Sequence, residues 1–531
     1  MNKKYKHYFL NLFLPAFVFG SITGIFTALI IAVYKFLAKH VIHFSENTYH
    51  YVSGHLIWLL AIVPIFVIVA LFFCVVYKKN PDLKGGGIPS SIGILRGLIT
   101  FKWLRNLIGT FVLSMMSFLL GIPLGNEGPA VMMGTAMGDA SNTFTNKKHR
   151  VWNRYLMTGG ACAGFSSATG APISGILFAI EEAHQRVSPM IILVSTIAVL
   201  FSRLTTEIVA PLLDISISLF PNLSLLSMPV KQIWIPLVVG IGMGFFAVIF
   251  LKFFTLINTL INKKFTNVKS IYKFTFIMLA TLGAGLVSFR FISTGHELII
   301  ELFEGKIAIY MLAIILLIRF ILTTSANSSG ITGGIFLPTL AIGALMSSII
   351  GKTMCNYFEL DHQYYVLILV LGITACIAGM MQMPLTAIVF AIEALGCHNN
   401  ILFVITVAGI TYIITEIFHC KSTNDRVLEA KIESQNKDKK PTLIDTFITV
   451  KSGSFAEGKQ IRDILWPANF FVLSLTHSNE NAEVDEHGGT ALHQSDVLHV
   501  RFLTYDLQAT KEEILDIVGE QEFDIVESKV I

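Results

Sequence analysis

Glu127 is a carboxylate that stands between glycines in an apolar part of the chain. It belongs to the stretch Gly125-Asn-Glu-Gly-Pro129, and apolar residues dominate on both sides of it. A charge near the centre of a bilayer costs at least ~2.5–3.5 kcal/mol. A carboxylate at this position, next to Gly and Pro, therefore suggests a functional role.

Two other stretches share the design, Gly85-Gly-Gly-Ile-Pro89 and Gly333-Gly-Ile-Phe-Leu-Pro338. Gly permits an unusual backbone turn, and Pro fits the first position of a following helix. Each stretch should present free backbone N–H groups and the positive end of a helix dipole, equivalent to about half a unit charge. Helix N-termini that converge make an anion site that lacks a full positive charge, so the anion can leave again. The alternative is three tight turns without a ligand.

The candidate anion-binding residues follow from these three stretches. They are Gly85, Gly86, Gly87, Ile88, Pro89, Gly125, Asn126, Gly128, Pro129, Gly334, Ile335, Phe336 and Pro338.

The composition is that of a membrane protein. Of the 531 residues, 53% are hydrophobic and 14% are charged, whereas soluble proteins carry about 25% charged residues. The net charge of +4 is small and dispersed, which argues against a nucleic-acid partner. Lys3, Lys4 and Lys6 precede the first apolar run, 9–38, so the positive-inside rule predicts a cytoplasmic N-terminus. The run is too long for a removed signal peptide and lacks a small-residue cleavage site, so we expect a retained first helix. The six cysteines form no CxxC pair, and we expect neither a disulfide framework nor a metal or cofactor.

The apolar runs fall into two groups. Some are long enough to span a bilayer, which takes ~20 residues. Others are shorter and interrupted by Gly and Pro, and such broken helices are tolerated only where they line an enclosed or watered cavity. The mixture favours the interior of a transporter. The long runs are 9–38, 56–77, 190–212, 233–259, 272–291 and 307–322, and the short ones are 106–123, 129–141, 156–168, 171–183, 335–350, 364–380 and 384–396.

The sequence contains an internal repeat. The segment that starts at Pro129 resembles the one at Pro338, an offset of 338 − 129 = 209, and the segment at Pro172 resembles the one at Pro384, an offset of 384 − 172 = 212. Duplicated halves with broken helices at matching positions predict a binding site near the midplane, where the halves meet. We place the repeats at about 15–215 and 230–420, within a transmembrane domain 1–430.

The character of the chain changes near its end. Residues 431–445 are polar and read as a linker, and 446–531 contain short alternating segments separated by turn signals, followed by a candidate helix. This pattern predicts a small soluble α+β domain on the cytoplasmic side.

Together the three glycine stretches resemble the motifs of the CLC family of chloride channels and chloride/proton antiporters. The family's GSGIP, G(K/R)EGP and GxFxP stand here as GGGIP, GNEGP and GIFLP, in the same order, and the resemblance spans roughly residues 15–430. It implies an all-α polytopic fold of two inverted-topology repeats around an anion path, and a homodimer with one pore per subunit. It also implies that Glu127 is the gating glutamate, which occupies the anion site when ionised and carries a proton when it swings free.

Glu182 falls on the family's internal proton-transfer glutamate, which antiporters have and channels usually lack. Glu181 and Glu182 both end an apolar helix, so an interfacial anchor is the alternative for this pair. Glu181 stays an uncertain site residue, and for its repeat counterpart Glu393 we expect a structural role.

Three positions depart from the family pattern. Gly86 replaces the serine that coordinates the central anion, Asn126 replaces a basic residue, and Asn424 aligns loosely with the central tyrosine. In the family, loss of the serine and tyrosine donors tends to loosen coupling, so the ion selectivity and the coupling stoichiometry stay open. Chloride is the default anion, and fluoride and nitrate are the alternatives.

The tail from Gly453 to Asp463, followed by Gln494-Ser-Asp-Val-Leu498, resembles the RCK C-terminal domain. The resemblance implies a regulatory module that binds a small molecule or an ion. For His487, His493 and His499 we expect a solvated surface rather than a metal site.

The sequence thus predicts a chloride/proton antiporter of the plasma membrane, not an enzyme. A passive CLC channel or a weakly coupled exchanger is the alternative, and Glu182 argues against the channel. A potassium transporter would need filter loops of the TVGYG kind, and an intramembrane metalloprotease would need HExxH; the sequence contains neither.

Overall fold

A computed structural model gives the three-dimensional structure of the chain. It describes residues 13–85, 87–143, 151–221, 223, 225, 227–264, 268–436, 440–477, 488–522 and 524–530.

The described residues between Leu14 and Ile417 form two helical halves, as the sequence predicts. The described residues contain nine helices that are long and apolar enough to cross a membrane, and between them lie helices too short to do so. In the first half, the helices are α1 Leu14–Gly54, α2 Leu59–Lys79, α3 Ile88–Leu95, α4 Trp103–Leu119, α5 Glu127–Thr143, α6 Trp152–Thr169, α7 Pro172–Phe178 and α8 Pro189–Leu212. In the second half they are α9 Trp234–Thr259, α10 Ser270–Val287, α11 His296–Phe303, α12 Ile309–Ser329, α13 Phe336–Phe358, α14 His362–Met380, α15 Pro384–Glu393 and α16 Ile401–Ile417.

Three helices differ in length or continuity from the predicted apolar runs. The run 9–38 belongs to α1, whose 41 residues extend ~60 Å, about twice the thickness of the hydrocarbon core. The runs 335–350 and 364–380, expected to be short and interrupted, are the continuous helices α13 and α14. Their glycines permit close packing instead of breaking the helix: a Cβ on Gly372 would lie 2.0 Å from the Cβ of Ser347.

The equivalent pair in the first half, α5 and α6, packs backbone against backbone. A Cβ on Gly134 would lie 2.1 Å from the carbonyl oxygen of Gly160, and a Cβ on Gly160 would lie 2.1 Å from that of Gly134. Small residues at helix contacts are the usual means of close packing in membranes, where no hydrophobic effect draws helices together. This contact fixes α5, the helix that begins at Glu127.

The predicted linker 431–445 is shorter than expected. Helix α17, Thr423–Gln435, covers its beginning, and strand β1, Thr442–Thr449, covers its end. Ser422 caps α17, since its side chain accepts the backbone N–H of Asp425. The helix continues because Leu428 is buried and Lys431 bonds to the transmembrane core.

The C-terminal region is a small α+β domain, as predicted. Strands β2 Phe470–Thr476, β3 Val497–Thr504 and β4 Asp524–Val530 join β1 in a sheet of order β2-β3-β1-β4, and helix α18, Leu507–Val518, completes the domain. All three strand pairs are antiparallel. Buried apolar side chains of the sheet and α18, such as Leu498, Phe502 and Ile514, form its separate core.

Candidate functional site

The glycine stretches of the two halves are joined by main-chain hydrogen bonds. The N–H of Gly125 donates to the carbonyl of Gly334 at 2.6 Å, and the N–H of Gly334 donates to the carbonyl of Gly125 at 2.8 Å. The third stretch is tied in by the N–H of Gly85, which donates to the carbonyl of Gly330 at 2.7 Å. The motifs that the sequence singled out therefore meet at one place between the halves.

Contact between the stretches requires the absence of side chains. A Cβ on Gly128 would lie 2.6 Å from the Cα of Gly334, and a Cβ on Gly87 would lie 3.3 Å from the Cα of Gly128. Gly87 also has φ +128°, a conformation that residues with a Cβ rarely adopt. Gly86 lies outside the described residues.

Three helix N-termini converge at this point. Helices α3, α5 and α13 begin at Ile88, Glu127 and Phe336, and the first four N–H groups of a helix have no partner within it. Pro89 is the second residue of its helix, whereas Pro129 and Pro338 are the third of theirs, so the prolines stand within the first turn and not at its first position. No helical hydrogen bond is lost, because a proline in the first turn replaces an N–H that is free in any case.

The surroundings of these N-termini are closed to solvent. Asn126 is partly exposed, and the other described members of the predicted set are buried except for Gly85.

Glu127 is fully buried at the meeting point. Its Oε2 lies 2.6 Å from where a Cβ on Gly125 would stand, and the same position is 3.2 Å from the Cβ of Leu337 in the first turn of α13. Among the residues that the structure describes, neither oxygen of the Glu127 carboxylate accepts a hydrogen bond. The carboxylate therefore sits beside the free N-terminus of α13, where an anion would bind.

Aromatic side chains connect this place to the helix that leads to Glu182. The ring of Phe336 meets Phe165 edge to face at 5.3 Å between centroids and meets Phe390 in the same way at 5.7 Å. Phe165 in turn stacks on Phe178, the last residue of α7, at 5.7 Å. These rings form an apolar layer next to the meeting point.

Glu182 lies on a π-helical turn, Ala179–Ala183, that continues α7. It is 4% exposed, and its Oε1 accepts a hydrogen bond from Nδ2 of Asn424. Its Oε2 has no partner among the described residues. Arg96 fixes the turn by donating to the main-chain carbonyls of Glu182, at 2.7 Å, and of Ala183, at 2.8 Å.

A polar cavity of about 420 Å³ opens beside Glu182. Its lining includes the carboxylates of Glu181, Glu182, Glu416 and Asp425. A buried carboxylate with one free oxygen at the edge of such a cavity can exchange a proton with water that enters the cavity.

Glu181 and Glu393 make equivalent contacts, each with a helix of the other half. The Glu181 carboxylate accepts the N–H groups of Leu385 and Thr386, at 2.9 and 2.7 Å, and the Thr386 hydroxyl at 2.7 Å. The Glu393 carboxylate accepts the N–H groups of Ile173 and Ser174, both at 2.9 Å, and the Ser174 hydroxyl at 2.8 Å. Each glutamate thus caps the first turn of the repeat-equivalent helix, α15 or α7.

Sequence reasoning missed Lys431, which it assigned to the linker. Its ammonium group donates to the main-chain carbonyls of Asp82 and Lys84 at 2.9 and 3.1 Å and to the hydroxyl of Ser90 at 2.7 Å. These acceptors flank the first glycine stretch. The one signal in the sequence is spacing: Lys431 follows the apolar Leu428 by three residues and so shares its helix face.

Two of the three tail histidines are described, and both contact carboxylates. His499 bonds Asp445 and stacks on Phe447 at 4.6 Å between ring centroids, so it is paired rather than simply solvated. His493 is 70% exposed; with His477 and Asp496 it offers ligand atoms within 4.8 Å of one another. Asp496 accepts the backbone N–H of His493 at 2.7 Å. This hydrogen bond closes a turn just before β3, and the turn explains why the three side chains lie close together. His487 lies outside the described residues.

Two matching halves of spanning and broken helices define a polytopic membrane protein of the transporter class. The chain belongs to the voltage gated chloride channel family: the model of that family matches residues 65–416.

Curated relatives carry the name H(+)/Cl(-) exchange transporter ClcA. The protein of Salmonella arizonae is 27% identical over 415 residues, which are 75% of this chain and 85% of the relative. The protein of Klebsiella pneumoniae is 28% identical over 388 residues, which are 72% of this chain and 81% of the relative.

Solved structures of the family share the fold. A slow cyanobacterial Cl⁻/H⁺ antiporter matches with a TM-score of 0.72 and 22% identity, covering 79% of this chain and 99% of the antiporter. A CLC-type fluoride/proton antiporter matches with a TM-score of 0.61 and 19% identity, covering 76% of this chain and 96% of that protein.

The reciprocal caps yield a stability prediction. Glu181→Gln and Glu393→Gln each remove a charged acceptor from two N–H groups and a hydroxyl, so each should destabilise the fold by about 1–3 kcal/mol. Because the contacts match, the two melting temperatures in detergent should fall by similar amounts. Glu433→Gln, at an exposed carboxylate on α17, is the control and should leave the melting temperature unchanged. A drop for Glu181→Gln alone would contradict the reciprocal assignment.

Proposed function

We propose that the protein is a secondary active transporter that exchanges chloride for protons across the membrane. The observation that carries the proposal is the buried Glu127 carboxylate at the convergence of three helix N-termini. The second support is Glu182, a buried carboxylate at the edge of a polar cavity. An anion site and two proton-carrying groups are the parts that such an exchange requires.

The anion is bound by main-chain N–H groups at the starts of α3, α5 and α13, including those of Ile335 and Phe336. The dipoles of these helices contribute partial positive charge, and no lysine or arginine is needed at the site. Partial charges hold a halide loosely enough for it to leave, which transport demands.

Glu127 acts as the gate. When ionised, its carboxylate replaces the anion at the N-terminus of α13 and closes the path. When protonated, it loses the negative charge that the helix N-termini favour, leaves the site to chloride and carries its proton outward. One site therefore serves two competing anions, the carboxylate and chloride.

Glu182 passes protons between the internal solution and Glu127. Its free Oε2 and the neighbouring cavity give it access to water. The amide of Asn424, which stands near the position of the family's central tyrosine, bonds Glu182 itself. Asn424 therefore holds the proton-transfer group in place rather than donating to the central anion.

Exchange is favoured over passive conduction for two reasons. A channel does not need Glu182, and the curated relatives are named exchange transporters. Chloride is the proposed anion because those relatives are named for it, while one structural neighbour is titled a fluoride/proton antiporter.

The proposal extends to the arrangement in the cell. Two copies form a dimer with one pore each in the plasma membrane, and the N-terminus and the C-terminal domain face the cytoplasm. The C-terminal domain is a regulatory module of the RCK C-terminal type that responds to a small molecule or an ion.

The experiment that tests the function is flux from proteoliposomes, recorded with chloride and pH electrodes at the same time. An outward chloride gradient should drive protons inward against their own gradient. Chloride release without uphill proton movement would mean a channel or a fully uncoupled exchanger and would contradict the proposal.

Glu127→Gln removes the ionisable gate but keeps its shape. We expect chloride flux to continue and proton movement to vanish, because glutamine mimics the protonated carboxyl and carries no proton. Chloride flux that disappears while the protein stays folded, judged by its melting temperature, would contradict the gating role.

Glu182→Gln should stop proton movement while chloride movement persists, because the relay is lost and the anion site is untouched. Glu416→Gln is the matched control: it lines the same cavity but is exposed, and the proton-to-chloride ratio should stay as in wild type. An unchanged ratio in Glu182→Gln would exclude the relay role.

A further inference from the structure

Each end of α3, the helix that follows the first glycine stretch, is held by a basic side chain from another helix: Lys431 of α17 at its beginning and Arg154 of α6 at its end. At its beginning, the Lys431 ammonium donates to the carbonyls of Asp82 and Lys84 and to the hydroxyl of Ser90. A lysine ammonium has three N–H donors, so all of them are used. The three acceptors stand on either side of Gly85–Pro89, and the bonds therefore fix this loop from both flanks.

At the other end of α3, Arg154 joins the helix to the C-terminal domain. Its Nε and Nη2 donate to the carbonyl of Leu95, the last residue of α3, at 3.1 and 2.8 Å. Its Nη1 donates to the carbonyl of Trp466 at 2.8 Å and to the carboxylate of Glu513 on α18 at 2.7 Å. The guanidinium is thus a bridge between α3 and the small domain.

The middle of α3 is in contact as well. A Cβ on Gly93 would lie 2.7 Å from Cδ1 of Leu428 on α17, so the two helices touch where α3 has no side chain. Just after α3, a Cβ on Gly97 would lie 3.8 Å from the backbone nitrogen of Ala468 in the C-terminal domain. Contacts therefore follow α3 along its whole length.

This attachment bears on anion binding because the site is made of main-chain groups. Hydrogen bonds weaken steeply as donors turn away from the acceptor, so the orientation of the loop sets the affinity for the anion. The loop contains consecutive glycines, which are the most flexible residues. Glycines have no side chain that could hold the loop, and the hydrogen bonds from Lys431 hold the described residues on its two flanks.

We propose that Lys431 and Arg154 are positioning residues of the anion site, and that through Arg154 the docking of the C-terminal domain sets the affinity for the transported anion. The inference rests on the proposed function, since it concerns the same site. A partner of the C-terminal domain that pulls it away from Arg154 would loosen α3 and weaken anion binding. A partner that presses it onto Arg154 would do the opposite.

The first test is Lys431→Met in the full chain, reconstituted in proteoliposomes. Methionine has a similar length and no donors, so the apparent KM for chloride should rise about tenfold, with a smaller change in maximal rate. Lys431→Arg should restore most of the affinity because it keeps the charge and donors. Lys421→Met is the control, since Lys421 is 61% exposed and pairs with Glu429 at the surface; its KM should equal that of wild type.

The second test concerns the C-terminal domain itself. Glu513→Gln weakens the bond from Arg154 and leaves α3 and the transmembrane core unaltered. We expect a smaller rise of the KM for chloride, about threefold, and no change for Glu512→Gln, its neighbour on α18. A merely structural role would lower the melting temperature without moving the KM.

The outcomes separate this proposal from the proposed function. KM for chloride is compared between variants at the same pH on both sides of the membrane, so the proton steps are the same in each measurement and a change in KM reports on the anion site. A wild-type protein that moves chloride without protons would contradict the exchange function and leave the KM comparison valid. A wild-type KM in folded Lys431→Met would overturn the proposal. If Lys431→Met does not fold, Ser90→Ala removes one of the three acceptors, and a wild-type KM there would overturn it equally.

Discussion

The structure depends on one constraint: the anion site that we propose is built from backbone N–H groups, so several helix starts must come into contact. Contact at this distance is open only to glycine, and Gly87, Gly128 and Gly334 meet almost Cα to Cα. The helices must also begin inside the membrane, where free N–H groups are costly unless they are enclosed. The broken helices, the burial of the site and the close packing of α5 on α6 all follow from this requirement.

The duplicated halves bring the helix N-termini together, and the carboxylates proposed to carry protons lie at positions where the two halves differ. Where the halves remain alike, the residues are structural: Glu181 caps α15, the helix that ends at Glu393, and Glu393 caps α7, the helix that leads to Glu181. At the offset of 338 − 129 = 209, Glu127 corresponds to Phe336, because 127 + 209 = 336. At the offset of 384 − 172 = 212, Glu182 corresponds to Ala394. The two carboxylates proposed to carry protons thus stand where the repeat has lost its symmetry.

The sequence predicted the parts of this design that are written in local patterns. Gly and Pro mark helix starts, so the three stretches, the matching halves and the small α+β domain were all predicted correctly. The continuity of α13 and α14 was not predicted. In a sequence, a glycine that interrupts a helix cannot be distinguished from a glycine that allows another helix to pack closely. The contacts of Lys431 join residues more than 340 positions apart, from Asp82 to Ser90. Helix spacing places Lys431 on the same face as Leu428, but it does not identify partners so far away in the sequence, and the segment was assigned to a polar linker.

The most direct test of the central claim, that carboxylate and chloride compete for one site, is calorimetric titration of chloride into the purified protein. Wild type and Glu127→Gln are compared at a pH where Glu127 is largely ionised in wild type. We expect Glu127→Gln to bind more chloride per chain, or to bind it more tightly, because glutamine does not compete for the helix N-termini. Identical stoichiometry and affinity in the two proteins would contradict it.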